Sequence, residues 1–266
     1  MDSQQPYSIN VRARLMDLSQ PRVMGILNVT PDSFYGDSRK QTEREVTERA
    51  QQIISEGGDI IDIGACSTRP GSEPVDEQEE LRRLEMALTA VRRELPEAVI
   101  SVDTFRPQVA KCCIEKWGAD IINDVNPSRE MFTTVAMLRV PYILMSTESN
   151  LHDMLLRWAS EVRELHALGV HDIILDPGFG FGKTLEQNHV LMKQLKDMQI
   201  MGLPLLVGVS RKSMISRLLN IPTEECLNGT TVLNTMALMQ GASILRVHDV
   251  REAVEACKLF TINPKP

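Results

Sequence analysis

Short apolar runs rich in β-branched residues recur along this chain at intervals of roughly 20 to 40 residues: VMGILNV, DIIDIGA, VISVDT, DIINDV, PYILMS, DIILDPG, PLLVGVS and SILRVHD. Most are apolar at consecutive positions, the pattern of parallel strands covered by helices on one side and packed inward on the other. Between them the period turns helical. From Thr42 to Glu56, Val46, Ala50, Ile53 and Ile54 share one face, and after Pro74 so do Leu81, Leu84, Leu88, Val91 and Leu95. Gly57, Gly118, Gly169 and Gly241 each stand just before the next strand, where a left-handed residue ends a helix. Eight such units in 266 residues predict an α/β fold, a (β/α)8 TIM barrel, over an open doubly wound sheet made of the same units.

Residues 1–22 read as an N-terminal extension and 23–266 as the catalytic barrel domain. Within the extension, Ile9, Val11, Ala13 and Leu15 alternate, which predicts a hairpin closing the bottom of the barrel.

The net charge of −7, with no stripe of Lys and Arg, excludes a nucleic-acid backbone as partner. No apolar run approaches the roughly 18 residues of a bilayer span. The polar start MDSQQPYSIN has no signal-peptide core, so a cytoplasmic location without membrane attachment is expected. Five cysteines without a CxxC spacing read as free thiols rather than a zinc or redox centre.

The chemistry gathers where the apolar runs end. Asn28 and Thr30 close the first run, and Asp62, Ser67 and Thr68 follow the second. Asp103 closes the third, Asn123 and Asp124 the fourth, and Asp176 the sixth. Ser210, Arg211 and Lys212 follow the seventh, and Arg246, His248 and Asp249 finish the eighth. Only the fifth lacks a clear polar terminus. Taken singly, each such residue caps a helix as readily as it binds a ligand. Asp103, Asn123 and Asp176, however, follow β-branched or apolar strand residues and should project into the barrel mouth, where an unpartnered carboxylate costs several kcal/mol. Two carboxylates and an amide call for a ligand with several N–H donors, such as the fused pyrimidine of a pterin or purine.

Ser210-Arg211-Lys212-Ser213 sets cations beside a helix start, an arrangement suited to an anion, and Arg246 with His248 forms a second anion site. Asn28 offers a neutral oxygen for Mg²⁺ on a pyrophosphate. The segment Gly178-Phe179-Gly180-Phe181-Gly182-Lys183-Thr184 imitates a phosphate loop, but Pro177 stands at its first Gly position. It reads better as a tight loop whose glycines let backbone pass close to a ligand, with Phe181 as an apolar wall.

MGILNVTPDSF at 24–34, DIGACSTRPGSEPV at 62–75, SVDTF at 101–105, IINDV at 121–125, DPGFGFGKT at 176–184, VGVSRKS at 207–213 and RVHDV at 246–250 together resemble dihydropteroate synthase over nearly the whole chain. The resemblance implies condensation of 6-hydroxymethyl-7,8-dihydropterin pyrophosphate with p-aminobenzoate in folate biosynthesis, with Mg²⁺ as cofactor, a homodimer, and a sulfonamide target. It implies that Asp103, Asn123, Met145, Asp176, Phe181, Lys212 and Arg246 hold the pterin, and that Asn28, Thr68, Arg246 and His248 hold the pyrophosphate. It further implies that Phe34, Thr68, Arg69, Pro70, Phe181, Ser210 and Lys212 surround p-aminobenzoate, and that Asp103, Lys212, Arg246 and His248 act in catalysis through an SN1-like route. A pterin-binding methyltransferase domain shares the barrel but would not need STRPG or SRKS, and a non-catalytic homologue would bind the pterin without turnover. Two places depart from the family pattern. Ser146 to Asn150 replaces the usual loop after the fifth strand, and Ala65-Cys66 stands where Gly-Glu is common.

Overall fold

Eight parallel strands alternate with helices in a computed structural model that describes residues 7–29, 39–66 and 75–262. A two-stranded hairpin, β1 (Ser8–Val11) and β2 (Arg14–Asp17), precedes them. The barrel strands are β3 (Arg22–Asn28), β4 (Ile60–Gly64), β5 (Val99–Asp103), β6 (Ile121–Asp124), β7 (Tyr142–Met145), β8 (Ile173–Asp176), β9 (Leu206–Val207) and β10 (Ile244–Val247). They pair in the order β8-β7-β6-β5-β4-β3-β10-β9, and a parallel bridge from Leu175 to Leu205 closes the ring. The barrel predicted from the repeat is therefore the observed fold.

The helices α1 (Arg39–Ser55), α2 (Glu77–Glu94), α3 (Pro107–Glu115), α4 (Arg129–Leu138), α5 (Leu151–Ala167), α6 (Leu185–Lys193), α7 (Ser213–Leu219), α8 (Leu227–Met239) and α9 (Val250–Thr261) cover its outside. Val46, Ala50 and Ile53 of α1 and Leu84, Leu88 and Val91 of α2 are buried against outward strand residues such as Ile61, Ile63, Ile100 and Val102. The four glycines expected to end helices all have positive φ.

Because side chains alternate along a strand, the inward positions form rows across the barrel. The bottom row is apolar: Met24, Ile60, Ile121, Ile143, Ile174, Leu206 and Ile244 pack with Ile9, Val11 and Leu18. The hairpin is thus the plug of the barrel bottom. Its turn corrects the simple alternation, however. Arg12 and Ala13 adopt φ of 52° and 58°, the left-handed pair of a two-residue hairpin turn, so Leu15 beyond it is 77% exposed. The turn residue Arg12 also anchors the hairpin, its Nε lying 2.5 Å from Asp120 Oδ1, while Arg92 donates to Asp120 Oδ2 at 2.6 Å. Since Ile9 is only 1% exposed, Ile9→Ala is expected to destabilise the protein by about 2–4 kcal/mol, checked by the urea unfolding midpoint.

Candidate active site at the barrel mouth

One row above the apolar plug, the inward positions turn polar: Asp62, Ser101, Asn123, Asp176 and Arg246 share the barrel interior with Ile26, Met145 and Gly208. Arg246 organises them. Its Nε donates to Asp62 Oδ2 at 2.6 Å and its Nη2 to Asp103 Oδ2 at 2.8 Å. Asn123 Nδ2 donates to the same Asp62 oxygen at 3.2 Å. Burial alone would lower Arg246, but Asp62 and Asp103 hold it above its ordinary value. Burial pushes Asp103 up to about 7 against the pull of Arg246, with Asp62, Asp124 and Glu80 adding to the rise.

Asp62 Oδ1, Ser101 Oγ and Asn123 Oδ1 are buried without a hydrogen-bond partner among the described residues. Buried polar atoms of a native protein nearly always find partners, so this row is built to meet a polar ligand. Gly208 makes room for it: a Cβ there would lie 3.7 Å from Arg246 Cβ and 3.9 Å from Lys212 Nζ.

The opposite wall comes from the loop after β8. Asp176 Oδ1 accepts the Gly178 N–H at 2.7 Å, and burial raises its pKa while Lys212 opposes the rise. Lys212 Nζ donates to the Phe179 carbonyl and stands 4.8 Å from the centre of the Phe181 ring. Burial lowers Lys212 to about 8, Asp176 countering part of the effect. The glycines of this loop have steric reasons. Gly178 has φ of 63°, and a Cβ on it would clash with Ser146 O. Only glycine lets the β8 loop pass this close to the end of β7. A Thr184–Gln187 capping box then starts α6.

Ser210 and His248 meet at the end of β10, with Ser210 Oγ 3.1 Å from His248 Nδ1 and the His248 N–H donating to Ser210 Oγ at 3.1 Å. Of the two cations in the SRKS run, Arg211 turns away to grip Asp249 at 2.7 and 3.0 Å. Lys212 alone of that pair faces Asp176. Asn28 Oδ1 borders the mouth beside Gly64, where a Cβ would lie 3.6 Å from it and 3.4 Å from Asp103 Cβ.

The fold thus gathers Asn28, Asp103, Asn123, Met145, Asp176, Phe181, Ser210, Lys212, Arg246 and His248 around one mouth. Phe34, Thr68, Arg69 and Pro70, like Thr30 and Ser67, lie outside the described residues. Ser101 and Gly208 escape the sequence reading, and Asp62, which that reading marks only as a polar strand end, receives no role in the site from it. The parity of Ile60, Asp62 and Gly64 along one strand was the signal that Asp62 faces inward. At Ala65-Cys66, where a carboxylate is common, Glu80 of α2 supplies one. It pairs with Arg106, accepts from Thr104 Oγ1 at 2.7 Å, and Arg106 in turn lies 3.6 Å from Cys66 Sγ.

A parallel barrel whose mouth combines buried carboxylates, an amide and a lysine is the setting of a pterin-binding enzyme, and residues 24–248 match the family described as pterin binding enzyme. Dihydropteroate synthase of Escherichia coli K12 is 40% identical over 261 residues, 92% of each chain. The Yersinia pestis dihydropteroate synthase in complex with a sulfonamide drug superposes with a TM-score of 0.86 at 37% identity, covering 96% of this chain and 98% of that one. The Xanthomonas albilineans dihydropteroate synthase with 4-aminobenzoic acid gives 0.88 at 34% identity, covering 96% and 97%. Within the pterin-binding family, this chain belongs to the dihydropteroate synthases.

Proposed function

We propose that the barrel condenses 6-hydroxymethyl-7,8-dihydropterin pyrophosphate with p-aminobenzoate, giving 7,8-dihydropteroate and pyrophosphate for folate biosynthesis. The observation that carries this reading is Arg246 held between Asp62 and Asp103, beside atoms of Asp62 and Asn123 that have no partner among the described residues. The same mouth offers carboxylates to a ring that becomes positive and cations to a leaving group that becomes negative.

Asp176 accepts N–H bonds from the pterin's pyrimidine edge, Asn123 contacts a further ring nitrogen, and Lys212 donates to the ring carbonyl. Met145 forms the floor and Phe181 a wall. The bond between the exocyclic methylene carbon and the pyrophosphate oxygen breaks, and its electron pair leaves with the pyrophosphate. The methylene cation spreads into the ring, where ionised Asp103 stabilises charge that exists only as the bond opens, the condition for lowering a barrier. Arg246 and His248 bind the departing pyrophosphate. Asn28 Oδ1, beside the side-chain-free Gly64, would hold a Mg²⁺ at the pyrophosphate, and the ion would neutralise leaving-group charge. The p-aminobenzoate nitrogen then attacks the methylene carbon and loses a proton. Its carboxylate lies near Ser210 and Lys212.

The sulfonamide and 4-aminobenzoic acid bound by the relatives support inhibition of this chain by sulfonamides in competition with p-aminobenzoate. Exposed Leu218, Leu219, Val232 and Met239 on α7 and α8 support a homodimer through the outer helices. Among the described residues no helix is long and apolar enough to cross a membrane, and we place the protein in the cytoplasm. Incubation of the purified protein with both substrates and Mg²⁺ should yield dihydropteroate and pyrophosphate in equal amounts by mass spectrometry and phosphate assay. Tight pterin binding without product would overturn the reading.

The mouth also predicts a bell-shaped pH profile of kcat/KM. Asp103 must be charged, which gives an acid limb near its value of about 7, and Lys212 must be protonated, which gives a basic limb near about 8. Asp103→Asn should remove the acid limb. For stability the sign of the Asp103 effect is opposite to that for activity. A carboxyl whose pKa is raised on folding binds its proton more firmly in the native state, so its contribution is present at low pH and is lost as pH rises through about 7.

A further inference from the structure

We propose that Lys183 is a positioning residue that ties the divergent loop after β7 to the loop after β8, and so sets the geometry of the pterin pocket. The inference rests on the pterin-binding reading of the mouth. Lys183 is half-buried, which is unusual for a lysine with no acidic partner in contact among the described residues. Its Nζ donates to Ser146 O at 3.1 Å, Gly178 O at 3.0 Å and Phe181 O at 3.3 Å. An ammonium has three N–H donors, and here all three are used.

The three acceptors belong to two different loops. Ser146 follows Met145, the pocket floor, and its own N–H donates to Asp176 O at 2.9 Å. Gly178 donates its N–H to Asp176 Oδ1, and Phe181 carries the ring that faces Lys212. Each carbonyl that Lys183 gathers is therefore one or two residues from a group that would touch the pterin, or is carried by such a group. The approach of the two loops is close, since a Cβ on Gly178 would meet Ser146 O and one on Gly182 would lie 3.9 Å from Thr147 O. Converging carbonyl oxygens repel one another, and the ammonium between them supplies the positive charge that holds them together. Asn188 of α6 holds the same glycine loop from its other side, accepting the Gly180 N–H at 2.7 Å, but none of its hydrogen bonds reaches the β7 loop. Beside the Ser146 to Asp176 backbone bond, Lys183 supplies the side-chain cross-link between the two loops among the described residues.

In Lys183→Met, amide exchange should accelerate at least fivefold both in residues 146–150 and in residues 177–183, with α3 unchanged. Affinity for the dihydropterin pyrophosphate, read by calorimetry, should fall at least tenfold. Lys183→Arg keeps the charge and donors and should restore affinity to within threefold of the original. Affinity within twofold of the original in Lys183→Met, or faster exchange confined to residues 177–183, would overturn the proposal. Should that variant not fold, Lys183→Gln, neutral and with two donors, carries the same comparison. The exchange measurement needs no ligand, so failure of the unsubstituted protein to bind the pterin would sink the functional reading alone.

Discussion

Replacing Arg246 with alanine is expected to lower kcat/KM for the pterin pyrophosphate by about a thousandfold, or roughly 4 kcal/mol of transition-state stabilisation. The side chain has two tasks that cannot be separated by position. It would contact the departing pyrophosphate, and it keeps Asp62 and Asp103 paired in the barrel interior. Removing one partner of a buried ion pair commonly destabilises by about 3–5 kcal/mol, but Asp103 is already raised to about 7 and can take up a proton. The stability loss in thermal unfolding should therefore fall at or below the lower end of that range. The activity loss has no such escape, because a neutral Asp103 cannot stabilise a cation. The same substitution should weaken binding of a pterin without phosphates much less. Equal losses for both ligands would argue against a pyrophosphate role.

Asp176→Ala and Lys212→Ala should each weaken pterin binding by about 2 kcal/mol or more in calorimetry, through loss of charge-assisted hydrogen bonds. The two effects should not add. Asp176 raises the Lys212 pKa and Lys212 lowers that of Asp176, so each deletion already disturbs the other residue. A double variant losing the full sum, or either single variant binding with unchanged affinity, would contradict the shared placement at the ring edge.

Much of this was legible in the sequence because parallel barrels put the same information in the same place. Apolar runs of consecutive residues marked strands with both faces buried, and polar residues ending them marked the mouth. What could not be read were pairings across the barrel. Arg246 was expected to serve as an open anion site, yet its partners Asp62 and Asp103 are 184 and 143 residues away in sequence. Closure of the ring brings them together, and no local pattern encodes that distance. Asp62 was visible as a strand residue but not as the hub of a network. The hairpin turn escaped for a different reason. Arg12 and Ala13 occupy left-handed conformations usually signalled by Asn or Gly, so the alternation of Ile9 and Val11 seemed to continue to Leu15. The fifth strand, which lacked a polar end, proves to be tied through Ser146 to the β8 loop, and Lys183 replaces a terminal side chain of its own as the organising group.

In the proposed mechanism this mouth polarises both ends of one carbon–oxygen bond strongly enough for it to break before the amine attacks. A series of ring-substituted p-aminobenzoates, measured in single turnover at saturation, tests this most directly. Bond breaking first predicts a rate of pyrophosphate release nearly independent of amine basicity. A rate that rises steeply with basicity would mean that the amine takes part in breaking the bond, and would rule out bond breaking first.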